Sequence, residues 1–320
     1  MNKNSLKTDF FATVQFAQRN ILLFFRDKAT VFFSLLSPLI VLMLYVFFLG
    51  DLQVLTVKSY FPEGVQVDEK LISAFVDSWL IAGIMCVSSL TVALNSMLVM
   101  VSDKEKNLFK DFTSTPVKPS VLTLGYFLSF YFITLLICLA VFAVGLIYLA
   151  ASGSFYMTAS DVFVNIGVLL LSVTNSVLLM MFVMSFINTS SASGAFSGIF
   201  SAVIGFLVGA YMPISAFPEG IRYFTTIIPG SSTGGLFRNY FMDGALQELS
   251  KNMPPAFTDG LKQAFSFELE FFSYTPGTDF MWIYLADTAL LFLLCNIVAG
   301  IIRKRKGVKI HPTKKIEKNN

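Results

Sequence analysis

The sequence predicts an all-α polytopic membrane protein with six transmembrane helices, an N-terminal interfacial amphipathic helix and outer re-entrant helices before the last span. Three observations lead there. Hydrophobic residues make up 55% of the 320 residues and charged residues only 13%, about half the ~25% of an ordinary soluble domain, and the mean hydropathy is +0.70. So few charges cannot cover a water-facing surface, while the 35 phenylalanines can face lipid. The charges are also gathered into blocks separated by uncharged runs long enough to cross a bilayer, which needs ~20 apolar residues. Finally, the basic residues divide unequally between the loops on the two sides of the predicted spans. A disordered chain is excluded, and a soluble enzyme is disfavoured. The net charge of +3 is too small to point to nucleic acid.

Residues 1–30 read as a cytoplasmic interfacial helix. Phe10, Val14, Ala17, Ile21 and Phe24 recur at helical spacing, with Lys7, Gln15, Gln18 and Arg19 elsewhere. It is either an anchor or an elbow that passes movement into the first span. The polar start, with no short apolar core before a small-residue cleavage site, gives no sign of a removable signal peptide. The six-span domain covers 31–302, with spans at about 31–49, 79–101, 121–149, 163–187, 195–211 and 280–302. Asp161 is the expected N-cap of the fourth. The uncharged run of 57 residues from Val162 to Pro218 would be about 85 Å long as one helix. It must therefore fold back, and the polar cluster from Asn188 to Gly194 marks the turn. Loops 50–78 and 212–279 lie outside, and 303–320 is a basic cytoplasmic tail. With both termini inside, 17 of the 23 basic residues are cytoplasmic, and Trp79 and Trp282 fall at outer span ends, in an aromatic belt.

The inventory bears on chemistry. Cys86, Cys138 and Cys295 are far apart, lack metal-ligand spacing and read as buried hydrophobes. The single histidine, His311, lies in the tail, so neither a histidine-built metal site nor a serine–histidine pair is available inside the membrane. No catalytic residue is assigned. No glycine is followed by lysine, so a phosphate-binding P-loop is missing. A pump of this sequence draws on a partner or on an ion gradient. Asp287 is the one ionisable residue placed clearly inside a span. It is either functional or a carboxylate snorkelling near Trp282.

Other segments suggest surfaces. The loop from Asp103 to Lys118 mixes both charge signs with Leu108, Phe109 and Phe112. It is either a docking surface for a partner or a connector dipping into lipid. Ser88, Thr91 and Asn95 share one face of the second span. Gly194, Gly198, Ser201 with Ala202, Gly205 and Gly209 give the fifth span small residues at three- or four-residue steps. These suit internal packing, a subunit interface or a substrate path. From Met212 to Tyr240, Pro213, Pro218, Pro229 and the Gly234–Gly235 pair interrupt apolar sequence. This reads as two short helices that enter the outer leaflet and return, either buried in protein or lining a cavity. Asp243 to Thr278 then forms an external helical cap.

Taken in order, these segments resemble the type-2 ATP-binding-cassette (ABC) transporter permeases over essentially the whole chain. The likeness rests on Phe25-Arg26-Asp27-Lys28 before a span with Ser37-Pro38-Leu39, and on the charged loop ending Thr115-Pro116-Val117. It also rests on the stretch from Met212 to Pro218, followed by Ile228-Pro229 and Arg238. One departure is Asn107, where many members carry glycine. The resemblance implies a permease, as a homodimer or a heterodimer with a second permease, over two separate ATPase subunits that bind ATP and Mg. Arg26, Asp27, Lys104, Glu105, Lys106, Phe109, Asp111, Phe112, Thr115 and Pro116 would couple to the ATPase. Ser88, Thr91, Asn95, Gly194, Gly198, Ser201, Gly205 and Gly209 would line the substrate pathway or dimer interface. Pro213, Pro218, Pro229 and Arg238 would form an outer re-entrant gate. Export from the cell is the family's usual direction. With no basic cluster on the route, a lipophilic or amphipathic cargo is expected rather than a polyanionic cell-wall polymer. An ion-coupled transporter, resting on Asp287, is the rival class.

Overall fold

The computed structural model describes residues 3–61, 68–108, 117–251, 253–272 and 274–308, and the side chains from 7 to 302 within these. Six helices are long and apolar enough to cross a membrane: Lys28–Ser59, Glu69–Glu105, Pro119–Ala151, Ala159–Met184, Ser190–Leu207 and Thr278–Ile302. The chain is an all-α polytopic membrane protein.

The sequence explains where the helices start. α1 (Lys3–Arg26) stops at Asp27, whose carboxylate accepts from the Ala29 and Thr30 amides and caps α2 (Lys28–Ser34). α3 (Leu36–Leu44) follows, then a π-helical stretch (Tyr45–Leu49) and α4 (Gly50–Ser59). The predicted end of this span at Leu49 is therefore corrected, because Gly50-Asp51 does not break the helix. Uncharged runs mark the hydrocarbon crossing, and helices continue past it into polar surroundings. In the same way α5 (Glu69–Ser96) begins ten residues before the predicted start at 79, with Asp68 as its cap. It runs through a turn at Met97 into α6 (Leu98–Glu105). α7 (Pro119–Ala151) has proline at its first position, where no amide donor is needed. α8 (Ala159–Met184) opens with a capping box in which Thr158, not the predicted Asp161, is the N-cap, and Asp161 reaches back to the Thr158 amide. α9 (Ser190–Leu207) is capped by Thr189.

α5 is the axis of the bundle. Of the residues in its membrane window, 89% are buried, by α2, α3, α7, α8, α9 and α11 (Pro229–Phe241). α14 (Thr278–Val308) packs outside α8 and α11. Its window is only 11% buried, and Leu290, Leu291, Leu294 and Ile297 project from it as a lipid-facing surface does. Trp79, expected in an aromatic belt, is fully buried in the core instead, with its ring edge toward Phe265. At this end of the bundle α10 (Glu219–Ile227), α12 (Asp243–Leu249) and α13 (Pro255–Ala264) form a cap.

Candidate functional site

The end of the bundle that carries α1 holds an ion pair between a half-buried arginine and a buried carboxylate. Arg19 donates to both oxygens of Asp103, at 2.7 and 2.9 Å, and the Tyr126 hydroxyl donates to the same carboxylate at 2.6 Å. The elbow helix, the second span and the third span thus meet at one carboxylate. α1 buries Thr13, Phe16, Ala17, Asn20 and Phe24 against α7 and α6. The predicted stripe is thereby rotated. Phe10 and Val14 are exposed, and the polar Thr13 and Asn20 point inward, where Asn20 faces the Ser129 hydroxyl. Gly125 permits the approach, since a Cβ there would stand 2.8 Å from the Phe16 ring and 3.3 Å from the Thr13 carbonyl oxygen. Gly125→Val should therefore push α1 off the bundle and cost about 1–3 kcal/mol. A denaturant melt of the detergent-solubilised chain checks this, and an unchanged midpoint would contradict it.

The residues expected to couple to an ATPase divide. The Lys104 ammonium donates to the Met184, Ser185 and Ile187 carbonyls, satisfying the C-terminus of α8. Glu105 accepts from the Ser190 amide and hydroxyl at the start of α9. Together they clamp the turn between the fourth and fifth spans. Glu105 stays exposed while it makes this contact, and Lys104 is half-buried. Arg26, Asp27 and Lys106 are exposed. Hydrogen bonds from the Thr30 hydroxyl and amide, then the Ala29 amide, hold the Asp27 carboxyl below the usual carboxylate range. Phe109, Asp111, Phe112, Thr115 and Pro116 lie outside the described residues. Asn107, the departure from the family pattern, has φ +58°. This is the left-handed region that glycine and asparagine enter most readily. Asn107→Gly should be neutral, while Asn107→Val should cost about 1–2 kcal/mol. Melting temperatures of the two variants decide it.

The predicted pathway residues also divide. Ser88, Thr91 and Asn95 are buried inside the protomer and bond back to the Ile84, Val87 and Thr91 carbonyls. Thr91 also reaches the Ser34 carbonyl of the first span. The polar stripe therefore joins the second span to the first and does not reach an outer face, a correction that follows from α5 being the axis. Gly194 and Gly198 are exposed, with open space where a Cβ would be. Ser201 is half-buried, and its carbonyl accepts from the Ser37 hydroxyl. Gly205 is covered by the Tyr211 ring, and Gly209 has φ +71°. The Gly209 amide bonds to the Phe206 carbonyl and the Ala210 amide to the Gly205 carbonyl, ending α9 in a Schellman turn. These last two glycines thus serve the helix end, not an outer contact.

Arg238, expected in a gate, is completely buried. Its guanidinium donates to the carbonyls of Val208, Gly209 and Ser266, at 3.0, 2.7 and 3.2 Å. It ties the end of α9 to the cap. Pro213, Pro218 and Pro229 each start a short helix: the 3₁₀ turn Ile214–Ala216, α10 and α11. Beside them a cleft of about 990 Å³ opens between the far end of the first span, the end of α9 and the cap. Leu49, Leu52 and Phe206 line it together with Arg222, Lys262 and Glu270. The Arg222 Nε lies 3.1 Å from the Glu270 carboxylate.

Asp287 is exposed on α14. It is not the one carboxylate within a span, because Asp77, assigned from sequence to the loop before the second span, is buried within α5. The Tyr45 and Tyr148 hydroxyls donate to one of its oxygens, at 2.7 and 3.2 Å, and the Ser154 hydroxyl to the other, at 2.8 Å.

The family model of the ABC-2 type transporter matches residues 12–242, well over half of the chain. The chain belongs to that family. It is a membrane permease component of an ABC transporter, a family whose permeases work with an ABC ATPase that uses ATP and Mg. No curated protein matches it. The matched segment holds the whole Arg19–Asp103–Tyr126 centre, the Lys104–Glu105 clamp and Arg238 in this permease. Sequence reasoning found neither Arg19–Asp103 nor Asp77. Each partner is distant in the chain, and Asp103 and Asp77 both stand where a charge conventionally marks a span's end.

Proposed function

We propose that this permease exports a lipophilic or amphipathic molecule across the plasma membrane, as a dimer of permeases driven by two ATPase subunits at the α1 end. The observation that carries the cargo class is the 990 Å³ cleft, which joins apolar walls to side chains of both charge signs. An amphiphile with a polar head fits such walls, whereas a polyanionic polymer would call for a basic track. The excess of Lys and Arg in the loops and tail at the α1 end supports cytoplasmic termini. The exposed α1 surface and the 103–118 loop are then on the side of the ATPase. The uncovered Gly194–Gly198 face of α9 supports a permease–permease contact there. The small number of charges inside the spans supports an external energy source over ion coupling.

The test is to reconstitute the permease with its ATPase and to profile a deletion strain against membrane-active compounds. ATP-dependent efflux and raised sensitivity are expected. Unchanged sensitivity with altered cell-wall polymer would overturn the cargo assignment. Transport that persists without ATP and is lost in Asp287→Asn would overturn the energy source.

A further inference from the structure

We infer that the cleft beside the cap is a binding site for an amphipathic peptide, with the Gln53 carboxamide pairing with the peptide backbone. The cleft has a volume of about 990 Å³, at the upper end of the range of small-molecule sites. One wall is a single stripe of the first span, in which Leu49, Gln53, Thr56 and Tyr60 recur at three- or four-residue steps. The stripe turns from apolar to polar as it nears the cap, where Phe61 packs on the Phe257 ring of α13 with centroids 4.6 Å apart. The opposite wall brings Phe206 of α9 together with Lys262 of α13 and Glu268 just beyond it.

Gln53 points to the ligand. The residue is only 7% exposed, and what remains open faces the cleft it lines. Its carboxamide has no hydrogen-bond partner among the described residues. A buried amide without a partner is unfavourable, so a ligand that bonds it gains there. A carboxamide has two N–H donors and a carbonyl acceptor. The N–H and C=O of one extended residue point the same way, as in the hydrogen-bonded pairs of an antiparallel ladder, so one carboxamide can serve both. The linkage of an ester lipid offers acceptors only, and the Gln53 oxygen would stay without a donor. Charge specifies the head. Arg222 is already paired with Glu270. Half-buried Lys262 and exposed Asp259 and Glu268 also line the cleft and form no ion pair among the described residues. A peptide with a carboxylate and an ammonium complements these free charges, whereas a glycolipid head brings hydroxyls and neither charge. The apolar part of the peptide, or an acyl chain on it, then lies along Leu49, Leu52 and Phe206.

The inference rests on the amphipathic-cargo reading of the same cleft and gives that cargo its class. It is tested by binding alone, without ATP or transport. The full chain in phosphatidylcholine nanodiscs is titrated with dodecanoyl-lysylglycine and with the analogue methylated on the lysyl amide nitrogen, against empty nanodiscs. The parent should bind about tenfold more tightly, since the methyl group removes the N–H that Gln53 accepts. Gln53→Leu should abolish that preference. It should also leave the melting midpoint of the free chain unchanged or raised, because the amide it removes bonds to nothing in the protein. Lys262→Gln and Glu268→Gln should each weaken the parent several-fold. Ala216→Trp, at an exposed position on the cleft, should weaken both compounds alike. Equal affinity for the two compounds in the wild type would overturn the inference. So would a preference that survives Gln53→Leu, or binding indifferent to Ala216→Trp. A Gln53→Leu chain that melts lower would mean the amide serves the fold, and would overturn it too. Displacement of the peptide by phosphatidylethanolamine would assign the cleft to membrane lipid instead. Lost binding with efflux of membrane-active compounds intact removes this inference alone, whereas tight binding without ATP-dependent efflux removes the transport reading and leaves the site.

Discussion

Replacing Arg19 by alanine should destabilise the permease by about 3 kcal/mol and uncouple ATP hydrolysis from transport. The stability loss follows from burial. The Asp103 side chain is only 5% exposed and the Arg19 side chain 33%, and removing one partner of a buried pair costs roughly 3–5 kcal/mol because the other charge is left uncompensated. The lower end applies, since part of the guanidinium is hydrated. The second loss follows from position. Arg19 is on the elbow helix, Asp103 ends the second span and Tyr126 belongs to the third, so the pair is a mechanical joint among three elements. A double replacement separates the two effects. Arg19→Met with Asp103→Leu removes both charges and should recover most of the stability, because apolar substitutes for a buried pair are often neutral or better. Transport should stay low, since a directional bidentate joint has become a sliding apolar contact. Melting curves and transport per ATP hydrolysed, measured on the reconstituted complex, read the two quantities. Recovery of transport by the double variant would make the pair a stability element only.

Arg238→Met should be the other severe change, at about 3–5 kcal/mol, by freeing the cap from the end of the fifth span. The methionine fits the space but leaves the Val208, Gly209 and Ser266 carbonyls without their donor, and each buried orphan costs roughly 1–3 kcal/mol. Arg238→Lys should rescue only part, because an ammonium is a point donor and not a planar fork. Gly209→Ala should fail for an independent reason. Its φ of +71° disfavours a side chain, and a Cβ would stand 2.9 Å from the Arg238 Nη2. Limited proteolysis of residues 243–278 reports release of the cap, and melting temperature reports its cost. A cap that stays protected in Arg238→Met would refute this account.

These effects also show what could be read in advance. The six spans, the helix before the first of them and the short helices begun by Pro218 and Pro229 were legible. They depend on hydrophobic run length and on proline, which act within a few residues. The Asp161 cap was misread by three positions, because a cap is set by one hydrogen bond, and the helix predicted to end at Leu49 runs ten residues further, to Ser59, because Gly50-Asp51 does not break it. The stripe of Ser88, Thr91 and Asn95 was found, but its surroundings were not. Periodicity shows that residues share a face and is silent on what covers that face. In a membrane protein this gap is wide, since lipid and protein are equally apolar neighbours.

The sequence by itself determined that the chain carries six helices long and apolar enough to cross a membrane, has a further helix before the first of them and lacks the P-loop of a nucleotide site. Run length, charge spacing and inventory carry those properties, and all are local. Only the tertiary structure decided that the second span is the axis, that Lys104 and Glu105 bond across the turn between the fourth and fifth spans, and that Arg19 finds Asp103 across 84 positions. It alone set the buried Asp77 carboxylate among the Tyr45, Tyr148 and Ser154 hydroxyls. A charge buried in a charge-poor chain needs a partner, and that partner is chosen by packing, which no local pattern encodes.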